Sequence, residues 1–147
     1  MDKKAPLLIC YDGSEGAHRA IDRAFDLFGA RHAVVLNVAP VLTESESLAV
    51  LTPAPYAFEE YNDAEAVRAA QEGAGYARGA GLDAEARAAV AAPIWEGIVD
   101  VADELDAAVI VIGSRGLAGA RELVEGSLSH QVAKHAGRPV LIVPPAN

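Results

Sequence analysis

Two short segments late in the chain, Gly113-Ser114-Arg115-Gly116 and Gly126-Ser127-Leu128-Ser129, are separated by nine residues and combine glycine with serine. Glycines at a strand end let the backbone turn sharply and approach a ligand with no Cβ in the way. A serine that opens a helix, together with the free amides of the first turn, can donate to phosphate oxygens, helped by the positive end of the helix dipole. The two segments are therefore the parts of an anion cradle. Taken alone they are also the parts of a turn, shaped by Gly113 and Gly116, and of a helix capped by Ser127.

Asp12 supplies a second polar group. It follows the apolar run Leu7-Leu8-Ile9-Cys10-Tyr11 and precedes Gly13-Ser14-Glu15. In an open parallel sheet, ligands bind outside the carboxyl ends of the strands, where the strand order reverses. If this first strand and the strand that ends at Gly113 are neighbours there, Asp12 and the glycine segment share one crevice. A carboxylate in it could accept hydrogen bonds from a ribose or help to hold a metal, with phosphates along the glycines. The alternative for Asp12 is a cap on the first helix.

Other chemistry finds little support. His18, His32, His130 and His135 show no H-x3-H or H-E-x-x-H spacing, so no protein-only metal site is expected. Ser127, Ser129 and His130 lie side by side without a G-x-S-x-G elbow, which argues against a nucleophile and its base. No G-x4-G-K loop is present, and the only cations counted near the glycines are Arg115 and Arg121. Fast phosphoryl transfer is not expected; slow hydrolysis through a metal and amides stays open. Cys10 reads as an inert core thiol and Trp95 as a core-facing ring.

These residues must be positioned by the rest of the chain. Its 147 residues suit a single domain, 1–147. Hydrophobic residues make up 52% and aromatics 5%, so the core is aliphatic and alanine-rich and disorder is excluded. No apolar run is long enough to span a bilayer, no secretion signal is evident, and the lone cysteine fits a reducing cytoplasm. The net charge of −9 disfavours nucleic acid and anionic membrane as partners. Against that background, Gly113 to Arg138 holds four basic residues and only Glu122 and Glu125 as acids, which marks it as the place to look for an anion.

Leu7–Tyr11, Ala33–Val38, Ala108–Ile112 and Val140–Val143 are short apolar runs of the kind buried on both faces of a parallel sheet. Leu82–Val90 alternates with charge on one side, as an edge strand does. Helical spacing over about Glu15–Phe28 has Ser14 as cap and Gly29 as stop. A second helix, about Asp63–Ala80, buries Val67, Ala70, Ala74 and Ala77, and Gly73, Gly75 and Gly79 each weaken it by ~1 kcal/mol. A third puts Ile94, Ile98, Ala102 and Leu105 on one side, and a last one uses Leu128 and Val132 before Gly137-Arg138-Pro139. Between Pro40 and Ala66 the reading is an irregular loop with six acids and no base. The alternation defines an α/β fold: five mostly parallel strands with helices on both faces, Rossmann-like.

With these elements in place, the chain resembles the universal stress proteins, specifically their ATP-binding subgroup. The resemblance covers nearly all of the chain: the opening strand into Asp12-Gly13-Ser14-Glu15, the strand ending Leu36-Asn37-Val38, and the strand from Ala107 to Gly113. It continues through the G-x2-G-x9-G pattern with its serine to the closing Arg138-Pro139-Val140-Leu141-Ile142-Val143. It implies strand order 3-2-1-4-5, with Asp12 by the ribose and Cys10 and Val38 near the adenine. It implies that Ile112, Gly113, Gly116, Gly126, Ser127, Leu128 and Ser129 line the ribose and triphosphate. Two positions depart from that pattern: Glu125 carries a carboxylate just before Gly126, and Asn37 replaces a common histidine, with little effect expected.

The expected function is a non-catalytic, ATP-binding regulator that takes ATP with magnesium or manganese and signals occupancy to an unidentified downstream protein. The rivals are a nucleotide-free interaction module of the same fold and a slow ATPase. Val140–Val143 is uncharged and apolar on both faces, and an edge of that kind should be covered. A homodimer through it is expected, as the resemblance also implies, with Pro139 and Pro144-Pro145 limiting its length.

Overall fold

The computed structural model describes residues 5–41, 55–114 and 127–146, with side chains given from residue 64 onward in the second of these segments. Five strands, β1 (Leu7–Cys10), β2 (His32–Pro40), β3 (Asp83–Ala91), β4 (Val109–Gly113) and β5 (Val140–Val143), form one sheet in the order β3-β2-β1-β4-β5. All pairings are parallel: Leu7 lies opposite Ala33 on one side and Val109 on the other, and Ile110 lies opposite Val140. The expected architecture and strand order are both present.

Side chains of successive strand residues point to opposite faces, and the core divides accordingly. Leu7, Ile9, Val35 and Val111 belong to one face, which α1 (Glu15–Phe28) covers with Ala17, Ala20, Ile21 and Ala24. The helix α2 (Pro55–Ala80) completes that cover with Ala74 and Ala77. Leu8, Val34, Leu36, Ile110 and Ile112 belong to the other face. There α3 (Ile94–Leu105) contributes Ile98, Val101 and Ala102, and α4 (Leu128–His135) contributes Val132. The central runs read as apolar throughout because both faces are buried.

Two features of the second helix differ from the sequence expectation. It begins at Pro55 rather than near Asp63, so the irregular stretch does not extend to Ala66. Proline is tolerated in the first turn because its missing N–H would have no helical partner there. The inner face differs at one position: Ala66 is buried while Val67 is 44% exposed, and Ala70, Ala74 and Ala77 are buried as expected. Gly73 is no simple weakness, since a Cβ there would lie 2.7 Å from the Tyr11 ring and 2.8 Å from Val35 Cγ1. The missing side chain lets α2 lie close to the sheet.

The two sheet edges are treated differently. On β3, Asp83 and Glu85 flank His32 of β2, at 3.3 Å and 3.0 Å from its two ring nitrogens. Arg87 of β3 pairs with Glu104 of α3 at 2.9 Å. On β5 no residue is charged, and Ile142 is 38% exposed.

Candidate functional site

Strands β1 and β4 are direct neighbours, so the turn after Cys10 and the end of β4 open into one crevice at the sheet's carboxyl edge. The first turn is built by its own polar groups. Asp12 Oδ1 accepts from the Ser14 amide at 2.9 Å and from the Ser14 hydroxyl at 2.5 Å. Gly13 between them has φ +85°, in the left-handed region that favours glycine. Ser14, not Asp12, caps α1, its hydroxyl accepting from the Ala17 amide at 3.1 Å. The helix-cap alternative for Asp12 therefore falls away. Its carboxylate is exposed, and Oδ2 takes no hydrogen bond from the described residues.

Cys10 and Val38 are both partly buried and pack against the core of the α3 and α4 face, so the two residues expected near the base share one side of the sheet. Burial, and then the nearby Asp12 charge, push the Cys10 thiol up to about 12. It remains a thiol at neutral pH and is a poor nucleophile, which agrees with its reading as inert.

At the end of β4, Ile112 is buried in the core, so the crevice can receive only its backbone. The Ser114 amide donates to the Val143 carbonyl at 2.9 Å and ties this end to β5. A Cβ on Gly113 would stand 3.0 Å from the Gly16 carbonyl oxygen. The approach of α1 thus favours glycine at position 113, since a side chain there would need the Gly16 backbone to give by a few tenths of an ångström, a preference independent of any ligand. Ser127 caps α4, with its hydroxyl accepting from the His130 amide at 3.3 Å. Leu128 is exposed and Ser129 buried in the first turn behind it, where the amides have no helical acceptor. Gly116 and Gly126 lie outside the described residues, as do Arg115, Arg121 and Glu125.

The structure also brings in residues the sequence reading passed over. The Tyr11 hydroxyl donates to Glu72 of α2 at 2.9 Å and lies 3.0 Å from His18 Nε2 of α1. Because the single phenolic proton goes to Glu72, the His18 nitrogen must be the donor in that pair. Burial first, then the Glu72 hydrogen bond, raise the Tyr11 pKa, so the phenol stays protonated. Asn37 Nδ2 donates to the Tyr11 carbonyl at 2.8 Å, and the Tyr11 amide donates to the Leu36 carbonyl at 2.9 Å. Asn37, expected to matter little, thus holds the backbone one residue before Asp12. The partners of Tyr11 lie 7 to 61 residues away in sequence, and no local spacing announces them.

On the opposite face Trp95 stacks on His135 with ring centroids 4.1 Å apart and planes 15° apart, joining α3 to α4. Among the described residues, no group of three or more His, Cys, Asp or Glu side chains is placed to hold a metal, and no helix is long and apolar enough to cross a membrane.

Fold and crevice define an open α/β protein with its polar residues gathered where β1 and β4 end. Residues 5–144 match the universal stress protein family, and the chain belongs to that family. It is 33% identical over 144 residues to the universal stress protein YxiE of Bacillus subtilis, covering 93% of this chain and 97% of the relative. It is similar to a universal stress protein solved in complex with cAMP, at 28% identity and TM-score 0.67, covering 97% of this chain and 98% of that one. The structure of protein MJ0577 shares the fold at TM-score 0.78 and 24% identity, over 99% of both chains.

Proposed function

We propose that the protein is an ATP-binding regulator, working in the cytoplasm, whose nucleotide occupancy alters the surface around the crevice. The observation that carries this reading is the meeting of an exposed carboxylate with an unengaged oxygen at Asp12, a side-chain-free strand end at Gly113 and an apolar shelf of Cys10 and Val38. That set fits a nucleotide: Asp12 would accept from the ribose hydroxyls, Cys10 and Val38 would lie against the base, and the β4 end with the α4 amides would face the phosphates. Leu128 and Ser129 would contribute through that first turn, and by the family pattern Gly116 and Gly126, which lie outside the described residues, would complete the cradle. A relative solved with cAMP supports nucleotide binding as the shared property. A magnesium or manganese ion, shared with the phosphates, would offset their charge in a chain of net charge −9. We assign no catalytic residue.

Calorimetry with ATP and magnesium tests this directly. Saturable binding is expected, weakened about tenfold in Asp12→Asn, which keeps an acceptor for Ser14 but loses the charge. Absence of heat at millimolar ATP, with no nucleotide retained on purification, would leave the interaction-module reading. That rival draws support from Gly113, whose missing Cβ is already explained by Gly16. For the same reason Gly113→Ala is a poor probe of binding.

The reading includes a homodimer through β5, whose uncharged edge exposes Ile142. Ile142→Lys should yield monomer in sedimentation at micromolar concentration. Leu141 packs against the core and is less suitable for the test.

A further inference from the structure

Arginine side chains in this protein are almost all spoken for. Of the seven among the described residues, six hold a carbonyl or a carboxylate, as Arg138 does with Ala107 and Asp103 and Arg31 with Ala5. Arg19 is the exception. Its Nε is buried with no hydrogen-bond partner, as are those of Arg31 and Arg138, but those two are held through their terminal nitrogens, whereas Arg19 takes part in no hydrogen bond or ion pair among the described residues. This is unexpected in a chain with 21 acidic residues, because a half-buried cation with an unsatisfied donor is costly.

Its place on α1 supplies a reason. Gly16 and Arg19 are three residues apart and so neighbours on one flank of the helix. Gly16 is the residue whose carbonyl meets the end of β4 at Gly113. His18 occupies the other flank, where it contacts Tyr76 of α2 with ring centroids 4.4 Å apart. The unpaired guanidinium therefore belongs to the side of α1 that runs beside the strand end assigned to phosphate. A guanidinium suits that anion, since its planar fork matches phosphate oxygens in pairs.

We infer that Arg19 is the side-chain cation for the phosphate chain of a nucleotide in this crevice, and that it makes the protein favour nucleoside di- and triphosphates over mono- and cyclic monophosphates. The inference rests on the nucleotide reading above and narrows it to a ligand class. A hydrogen bond to a charged group is worth roughly ten- to hundredfold in affinity. That factor should appear for ATP and ADP and be nearly absent for AMP and cAMP.

The test is calorimetry of the wild-type chain, Arg19→Gln and Arg19→Lys with ATP, ADP, AMP and cAMP, together with thermal shifts in inorganic tripolyphosphate. The expected result is a loss of at least tenfold in ATP affinity in Arg19→Gln with AMP unchanged, and partial retention in Arg19→Lys. Tripolyphosphate should raise the melting temperature of the wild type and not of Arg19→Gln. If ATP binds but the ratio of ATP to AMP affinity is the same in all three proteins, Arg19 is a packing residue and the inference fails while the nucleotide reading stands. If ATP does not bind but tripolyphosphate stabilises only chains with a cation at position 19, the anion role stands and the nucleotide reading falls. If neither ligand acts on the wild type, both are overturned.

Discussion

The two faces of the sheet are covered in different ways. Under α1 and α2 most contacts are made by small residues, Ala17, Ala20, Ala24, Ala74 and Ala77, around the single large buried side chain of Ile21, with Gly73 against the Tyr11 ring. Under α3 and α4 larger ones predominate, Ile98, Val101 and Val132 beside Ala102, with Trp95 on His135 at the rim. Small residues bring helix and sheet close enough for a strand-end hydroxyl, that of Tyr11, to reach side chains on two helices. On the second face α3 comes close only at Gly97, where a Cβ would stand 2.7 Å from Ala91 Cβ and 3.1 Å from Val38 Cγ1, and Cys10 and Val38 stay partly buried as an apolar shelf. One face thus supplies polar ties beside Asp12 and the other a surface suited to a flat ring.

The difference can be tested by substitution. The largest effect is expected on the second face: Ile98 is 2% exposed, and Ile98→Ala should cost about 2–5 kcal/mol in urea unfolding through lost contact and the cavity left behind. Gly73→Ala acts in the opposite sense, by overfilling. The clash with a ring held by Glu72 and His18 outweighs the ~1 kcal/mol helix gain, and a net loss of roughly 1 kcal/mol is expected. Gly75 lies two residues further on, exposed and with nothing within 4 Å of an added Cβ. Gly75→Ala should therefore raise stability by about 0.5–1 kcal/mol. Equal shifts for the two glycine variants would refute the close approach on the first face.

The smallest effect is electrostatic. Arg87, by its hydrogen bond and then its charge, lowers the Glu104 pKa below its ordinary value of 4.5. A group depressed on folding contributes stability above its unfolded pKa and loses it as pH falls through the folded one. The wild type should therefore lose slightly more stability than Arg87→Gln as pH drops below 4.5. The pair is exposed, so the difference should be slight and fade in salt.

Much of the frame was legible from local pattern. Helix α1 was expected at the bounds it has, because its apolar period, the Ser14 cap and the Gly29 stop all agree. The strand runs were plain because burial on both faces leaves few polar residues, such as Asn37 of β2, to blur them. The start of α2 was hidden by Pro55 and a run of acids that reads as loop, and its inner face by alanines that carry little hydrophobic contrast. Asp12 and Gly113 were found at the crevice, but the second role of Gly113 depends on a contact with Gly16, far away in sequence. Tyr11, Asn37 and Glu72 were missed for the same reason: side-chain pairs across elements leave no periodic trace. Arg19 was passed over because only a structure can show which arginine has no partner.

The contrast between the sheet's edges has a consequence for stoichiometry. Charges along β3, engaged with His32 and Glu104, oppose the docking of another strand there. Extension is left to β5 alone, and pairing about a twofold axis uses up that edge in both molecules at once. A sheet with one open end can double but cannot polymerise. The proposed β5 dimer would then be terminated by its own geometry, with two copies as its upper limit however high the protein concentration.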